Sequence, residues 1–286
     1  MKSFIKQLHI WLSIPLGVVI SIVCFTGAIL VFEREITAEV QSEYYYVDSV
    51  QGEPLPMEVL RANVEATLDG GNSIKDVEVE DDPERTYMFK IAKSNKGNKR
   101  AKPETLFVNQ YTGEVLGTPE RLPFFRETFR LHRWLMDAPA EKGSMSVGKM
   151  VVGISTIAMV ILLISGIVLW WPKGIKMLKN RTKVALTKGW RRFNYDLHVS
   201  AGMYATILLL IMALTGLVWS FEWYKDGFYA LFGEGAREWL RALHTGSIGG
   251  ITTKILWCIA AIIGGALPLT GYYLWIKRKF CRKQAQ

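Results

Sequence analysis

Four apolar runs, near residues 10–32, 147–171, 199–221 and 251–276, constrain this chain more than any other feature. Each is free of Asp, Glu and Arg in its middle, and each reaches the roughly 20 residues that a helix needs to cross a bilayer. Backbone in lipid has no water to bond, so it must close its hydrogen bonds within the segment. The expected fold class is therefore an integral membrane α-helical protein with four transmembrane helices.

Charge orients the spans. The formal net charge is +9, but it is unevenly spread. Segment 173–197 holds eight Lys/Arg against Asp196 alone, and the tail 277–286 holds five with no acid. Lys2 and Lys6 precede the first span, whereas 33–146 carries 15 basic and 21 acidic residues. Basic loops favour the cytoplasmic side, which predicts both termini and the 173–197 loop inside and the acidic segment outside. Lipid-facing basic loops need no nucleic acid to explain them, and none is expected as a partner. Cys24 and Cys258 fall in spans and Cys281 in the tail, a poor set for disulfides, and no C-x-x-C-H offers covalent haem attachment. The first apolar run exceeds an ordinary signal-peptide core and no A-x-A site follows it. It reads as a retained helix.

The chain also repeats itself. His9 precedes Gly27 by eighteen residues, and His198 precedes Gly216 by eighteen. That spacing is five whole helical turns, roughly 27 Å of rise, so each histidine shares a face with a glycine near the other end of its span. Two amphipathic stretches, FFRETFRLHRWLMD and GAREWLRALHTG, lie just before the second and fourth spans, and both place arginine shortly before Leu-His. In the first, Phe125, Phe129, His132 and Met136 are expected near one face of a surface-lying helix. The second half thus repeats the first without its long insert.

That insert reads as a helix over 54–68, opened by Pro54 and Pro56, then strand-like runs at 73–80, 86–92 and 105–109. A longer loop is expected over the Lys/Asn/Gly-rich stretch 93–102, and Thr112-Gly113 turns into Glu114-Val115-Leu116. The organisation predicted is transmembrane helix 1 over 1–33, an extracytoplasmic α+β domain over 34–120 and an interfacial helix over 121–146. Helix 2 follows over 147–172, then a basic loop over 173–197 and helix 3 over 198–221. A connection with a second interfacial helix covers 222–250, helix 4 covers 251–276, and a basic tail covers 277–286.

The helix-then-sheet order, closing on FVNQYTGEVLG, resembles a PepSY domain, and its place between the first two of four spans resembles the PepSY-associated transmembrane family. Some members of that family are di-haem ferric-siderophore reductases. The resemblance implies two non-covalent b-type haems, a bacterial inner (cytoplasmic) membrane location, a periplasmic PepSY domain and a role in iron uptake. It implies as partners the lipid bilayer, an external ferric siderophore or other ferric chelate, and an electron donor, either a cytoplasmic reductase or quinol.

All four histidines of the chain lie at span ends or on interfacial stretches. Imidazole ligates b-type haem iron, so His9 with His198 is the expected inner pair and His132 with His244 the outer pair. Gly27 and Gly216, with Gly166 and Gly271 of the Ser165-Gly166 and Thr270-Gly271 pairs, are expected to give a porphyrin clearance. Close helix packing explains such glycines as well, and an interfacial histidine also suits a lipid headgroup. Arg130, Arg133 and Arg241 are candidates for outer propionates, and Lys6, Arg191 and Arg192 for inner ones; surface anchoring accounts for them too. Met136 and Met150 are fallback axial ligands. No catalytic residue is assignable, and no P-loop, H-E-x-x-H or nucleotide fingerprint is present. Two rivals remain open: a haem-free anchor whose PepSY domain binds peptides or regulates a peptidase, and a quinol-linked cytochrome b subunit.

Overall fold

The computed structural model describes every residue except 69–70, 93–103, 142–143, 186 and 284–286, and leaves the side chains of 280–283 undescribed. The expected loop over 93–102 and the Cys281 side chain therefore lie outside the described residues. Twelve α-helical segments and four strands follow one another among those described. They are α1 (Lys2–Leu30), α2 (Glu33–Val40), α3 (Ser42–Tyr45), α4 (Met57–Thr67), β1 (Ser73–Glu78), β2 (Tyr87–Ala92), β3 (Glu104–Val108) and β4 (Val115–Gly117). Then come α5 (Pro123–Trp134), α6 (Val147–Trp170), α7 (Ile175–Arg181), α8 (Trp190–Asp196), α9 (Gly202–Ser220), α10 (Glu222–Phe232), α11 (Arg237–Thr245) and α12 (Gly250–Lys283). They group into two compact units, one of residues 1–32 with 123–286 and one of residues 33–122.

In the first unit, four helical stretches are long and apolar enough to cross a membrane: Lys2–Leu30, Val147–Trp170, Trp190–Ser220 and Ser247–Lys279. This is a multi-pass membrane protein. Helix α1 packs on α6 and α12, and α9 packs on the same two, so α1 and α9 are diagonal in the bundle. Leu163, Ala205, Leu209 and Ala260 form its buried centre, while Val18, Ile161, Ile207, Leu214 and Ile259 point outward. Such apolar side chains left outside are what lipid requires. Pro15 sits inside α1, where it removes a backbone donor. There the Tyr272 hydroxyl of α12 donates to the Ser13 and Ile14 carbonyls at 3.0 and 2.8 Å, bonding the helix beside the proline. The short helix α5 packs on α1 and α11 packs on α9. The half-to-half correspondence read from the sequence is thus realised in space, α1 with α9, α6 with α12 and α5 with α11.

In the second unit, β1-β2-β3-β4 form an antiparallel sheet in chain order. Alternate residues Tyr87, Phe89 and Ile91 of β2 pack with Val108 of β3 against Leu60 and Val64 of α4, the period of two that a strand imposes. The QYTGEVLG segment makes the last hairpin. Asn109 Oδ1 accepts from the backbone N–H groups of Tyr111 and Thr112 at 2.9 and 3.2 Å. Gly113 takes a φ of +72°, which costs glycine little and a side chain more. A small α+β unit is therefore present, with its helix and strands within a few residues of their expected places.

Three features depart from expectation. Helix α5 stops at Trp134, and Leu135 and Met136 take φ of 50° and 71°, so Met136 leaves the face shared by Phe125, Phe129 and His132. The long third span is not one regular helix: Leu197–Ala201 forms a π-helical turn that contains His198. Helices α7 and α10 occupy segments expected to be loop and connection.

Candidate functional site

The four histidines meet in two pairs. His9 of α1 and His198 of the π turn have ring centres 6.4 Å apart, and His132 of α5 and His244 of α11 have theirs at the same 6.4 Å. The first pair lies at the end of the bundle that carries the basic termini and the second at the opposite end. Pairing across the bundle follows from the diagonal arrangement of α1 and α9. The π turn inserts a wider ring of backbone at the inner site, a device that recurs at functional positions.

Each ring is held in the same way. His9 Nδ1 lies 2.8 Å from the Ser165 hydroxyl of α6. His198 Nδ1 lies 3.0 Å from the Leu267 carbonyl and 3.1 Å from the Thr270 hydroxyl of α12. His132 Nδ1 lies 2.9 Å from the Val23 carbonyl and 3.2 Å from the Thr26 hydroxyl of α1. His244 Nδ1 lies 3.0 Å from both the Met212 carbonyl and the Thr215 hydroxyl of α9. The residue after each hydroxyl is a glycine against the same ring. A Cβ built on Gly27, Gly216, Gly271 or Gly166 would stand 3.0, 3.2, 3.3 or 3.8 Å from the Cε1 of His132, His244, His198 or His9. What these glycines face is the imidazole edge. The sequence shows these Ser/Thr-Gly pairs but gives their hydroxyls no role, which only the approach of the rings reveals.

Burial and charge shape the outer pair. Desolvation, with the neighbouring His132 second, pushes His244 down to about 4. Desolvation also lowers His132, with a smaller push from Arg133, against the opposing Val23 carbonyl. Both rings are neutral at pH 7, the state in which imidazole binds a metal. Trp219 packs edge-on to His244 with centres 5.0 Å apart.

A cavity of about 1180 Å³ surrounds the inner pair. Its walls include His9, His198, Gly166 and Gly271, and Lys6, Arg181, Arg278 and Lys279 also line it. That exceeds the roughly 300–1,000 Å³ of an ordinary small-molecule pocket.

The arginines sort themselves by their contacts. Arg130 pairs with Glu127 at 2.8 Å and donates to the Met136 carbonyl, and Arg241 is exposed. Arg133 instead lies over the Phe129 and Trp134 rings, and its Nε is buried without a hydrogen-bond partner among the described residues. Burial lowers its pKa. Arg192 is bound to the fully buried Asp196 at 2.8 Å, and Arg191 is exposed. Arg181, Arg278 and Lys279, which are not among the expected propionate partners, join Lys6 around the inner cavity. Met136 and Met150 are exposed and belong to neither pair.

Among the described residues no group of three or more His, Cys, Asp and Glu is placed to hold a bare metal ion. What is present is two two-histidine sites. No curated protein matches the chain in sequence. The family profile described as the PepSY-associated TM region matches residues 6–237 and 229–278, nearly the whole chain, and the chain belongs to that family.

Proposed function

We propose that this protein is a di-haem b-type electron carrier that passes electrons across the bacterial inner membrane to an extracytoplasmic ferric chelate such as a ferric siderophore. The observation that carries the reading is the spacing of the two imidazole pairs. An imidazole nitrogen binds a transition metal at about 2 Å and sits about 1.1 Å from its ring centre, so two rings on opposite sides of one ion have centres roughly 6.3 Å apart. Both pairs stand at 6.4 Å. Neutral imidazoles packed against one another have no reason to keep that gap twice, at opposite ends of a bundle.

The remaining chemistry fits the same group. Nδ1 of every ring is engaged by the neighbouring helix, which leaves Nε2 for a ligand bond. His9 and His198 would hold the inner haem, and His132 and His244 the outer one. Each bound haem would supply one-electron exchange between ferric and ferrous iron, with axial ligation and burial setting its potential. Lys6, Arg181, Arg278 and Lys279 match the carboxylates such a group carries at the inner site, and Arg133 matches them at the outer. Charge asymmetry supports a cytoplasmic position for the inner pair and an outside position for the insert, read as a PepSY module from its helix, sheet and last hairpin. A cytoplasmic reductase or quinol supplies the electrons.

A pyridine-haemochrome assay on purified protein tests the core of the reading. A haem-to-protein ratio near two is expected, and a ratio near zero after expression with ample haem would leave the haem-free anchor as the better account. Reduction of a ferric chelate by the reduced protein then separates a ferric reductase from a cytochrome that serves another enzyme.

A further inference from the structure

The hydroxyl-glycine pairs do more than leave room. Thr26 Oγ1 lies 2.7 Å from the Ile22 carbonyl and 3.0 Å from that of Val23. Thr215 Oγ1 lies 2.6 and 3.1 Å from the Ile211 and Met212 carbonyls. Thr270 Oγ1 lies 3.0 and 2.9 Å from the Ala266 and Leu267 carbonyls, and Ser165 Oγ lies 3.0 Å from the Leu162 carbonyl. A hydroxyl has one proton and a carbonyl has none to give. Each of these protons goes to the backbone of its own helix, as Ser and Thr in apolar helices commonly arrange. The hydroxyl therefore faces its histidine as an acceptor, and so do the Val23, Met212 and Leu267 carbonyls. In all four rings Nδ1 must be the donor, and Nε2 must be the bare nitrogen.

We infer that Thr26, Ser165, Thr215 and Thr270 are positioning residues that lock the four histidines in the Nδ1–H tautomer and tune the basicity of Nε2. The tuning half of this rests on the haem reading above; the tautomer half does not. A hydrogen bond from the far nitrogen raises the basicity of a ligating imidazole. A more basic ligand favours ferric over ferrous iron, so a stronger bond lowers the potential of its centre. The four sites are unequal. Ser165 makes the shortest hydroxyl contact, 2.8 Å to His9, and every ring also has a carbonyl that stays when the hydroxyl is removed: Leu162 for His9, Val23 for His132, Leu267 for His198 and Met212 for His244. Ser165 is the position with the largest effect.

The test compares wild type with Ser165→Ala, Ser165→Thr and Thr215→Val in the purified holoprotein. Spectroelectrochemistry of Ser165→Ala should show the potential of one centre raised and the other unchanged. Ser165→Thr should return it, and Thr215→Val should raise the other centre by less. If Ser165→Ala loses one haem instead, recovery of that haem in Ser165→Thr supports the same role, and failure to recover it overturns the role. Unchanged potentials in both Ser165→Ala and Thr215→Val overturn the tuning. Nitrogen-15 NMR of histidine-labelled wild type, reduced to its diamagnetic form, should show a proton on Nδ1 of each ring. Protons on Nε2 overturn the tautomer lock, whatever the haem content. Absence of haem together with Nδ1–H rings would refute the haem reading and leave the lock standing.

Discussion

Gly27 lies so close to His132 that a Cβ on it would stand 3.0 Å from the ring's Cε1. The contact couples a membrane-crossing helix to the short helix that precedes the next span. Of the four glycine–imidazole contacts this is the tightest. Gly27→Ala must push the His132 ring by a few tenths of an ångström, at an overpacking cost of about 1–3 kcal/mol. The expected result is reduced haem occupancy at one centre, read as a haem-to-protein ratio falling from two toward one. Gly166→Ala meets His9 at 3.8 Å, an ordinary contact, and should keep both haems. Equal loss in the two variants would break the argument from clearance.

Single histidine replacements test the pairing. His198→Ala and His9→Ala should each remove the same haem, and His244→Ala and His132→Ala the other, with half the wild-type haem in every case. Optical spectra of the reduced variants identify which centre remains. If His9→Ala and His198→Ala lost different centres, the pairs would not act as pairs.

Asp196 is fully buried, and its Oδ2 accepts from the Ala185 backbone at 3.0 Å and from Arg192 at 2.8 Å. It lies one residue before the π turn that carries His198. Removing one partner of a buried ion pair typically costs about 3–5 kcal/mol, although the exposure of Arg192 places this one at the low end. Asp196→Ala should lower the midpoint of thermal unfolding. It should also loosen the inner centre before the outer one, measured as haem released on mild heating. Parallel loss from both centres would mean that the anchor at 185–196 does not bear on His198.

The second unit has its own buried core, so residues 33–122 should fold when produced alone. Leu60→Ala in that fragment removes a fully buried side chain between helix and sheet and should cost about 2–5 kcal/mol in urea unfolding. In the full chain the same change should leave the haem ratio at its wild-type value. A drop in that ratio would show that the two units depend on each other for folding.

Orientation has a direct test. Protease added to spheroplasts should cut within 34–122 and spare the basic loop of residues 173–189. Cleavage of the loop in intact spheroplasts would invert the assignment of inside and outside.

What the sequence decided alone is what local chemistry decides. Twenty or more apolar residues in a row have few options beyond a spanning helix, and alternating Tyr87, Phe89 and Ile91 can bury one face only as a strand. The eighteen-residue spacing of His9 to Gly27 and His198 to Gly216 was legible because helical periodicity is local too. Tertiary structure decided which group answers which. Nothing near His9 in the chain names Ser165 as its partner 156 residues away, and only the packing of α1 on α6 brings the two together. The four Ser/Thr-Gly pairs look like ordinary helix packing until the imidazoles are seen to rest on them. Arg130 and Arg133 are three residues apart on one helix, yet the first reaches Glu127 and the second lies half-buried over aromatic rings. Sequence set the elements and the register of the repeat, because those depend on neighbours in the chain; the sites depend on neighbours in space.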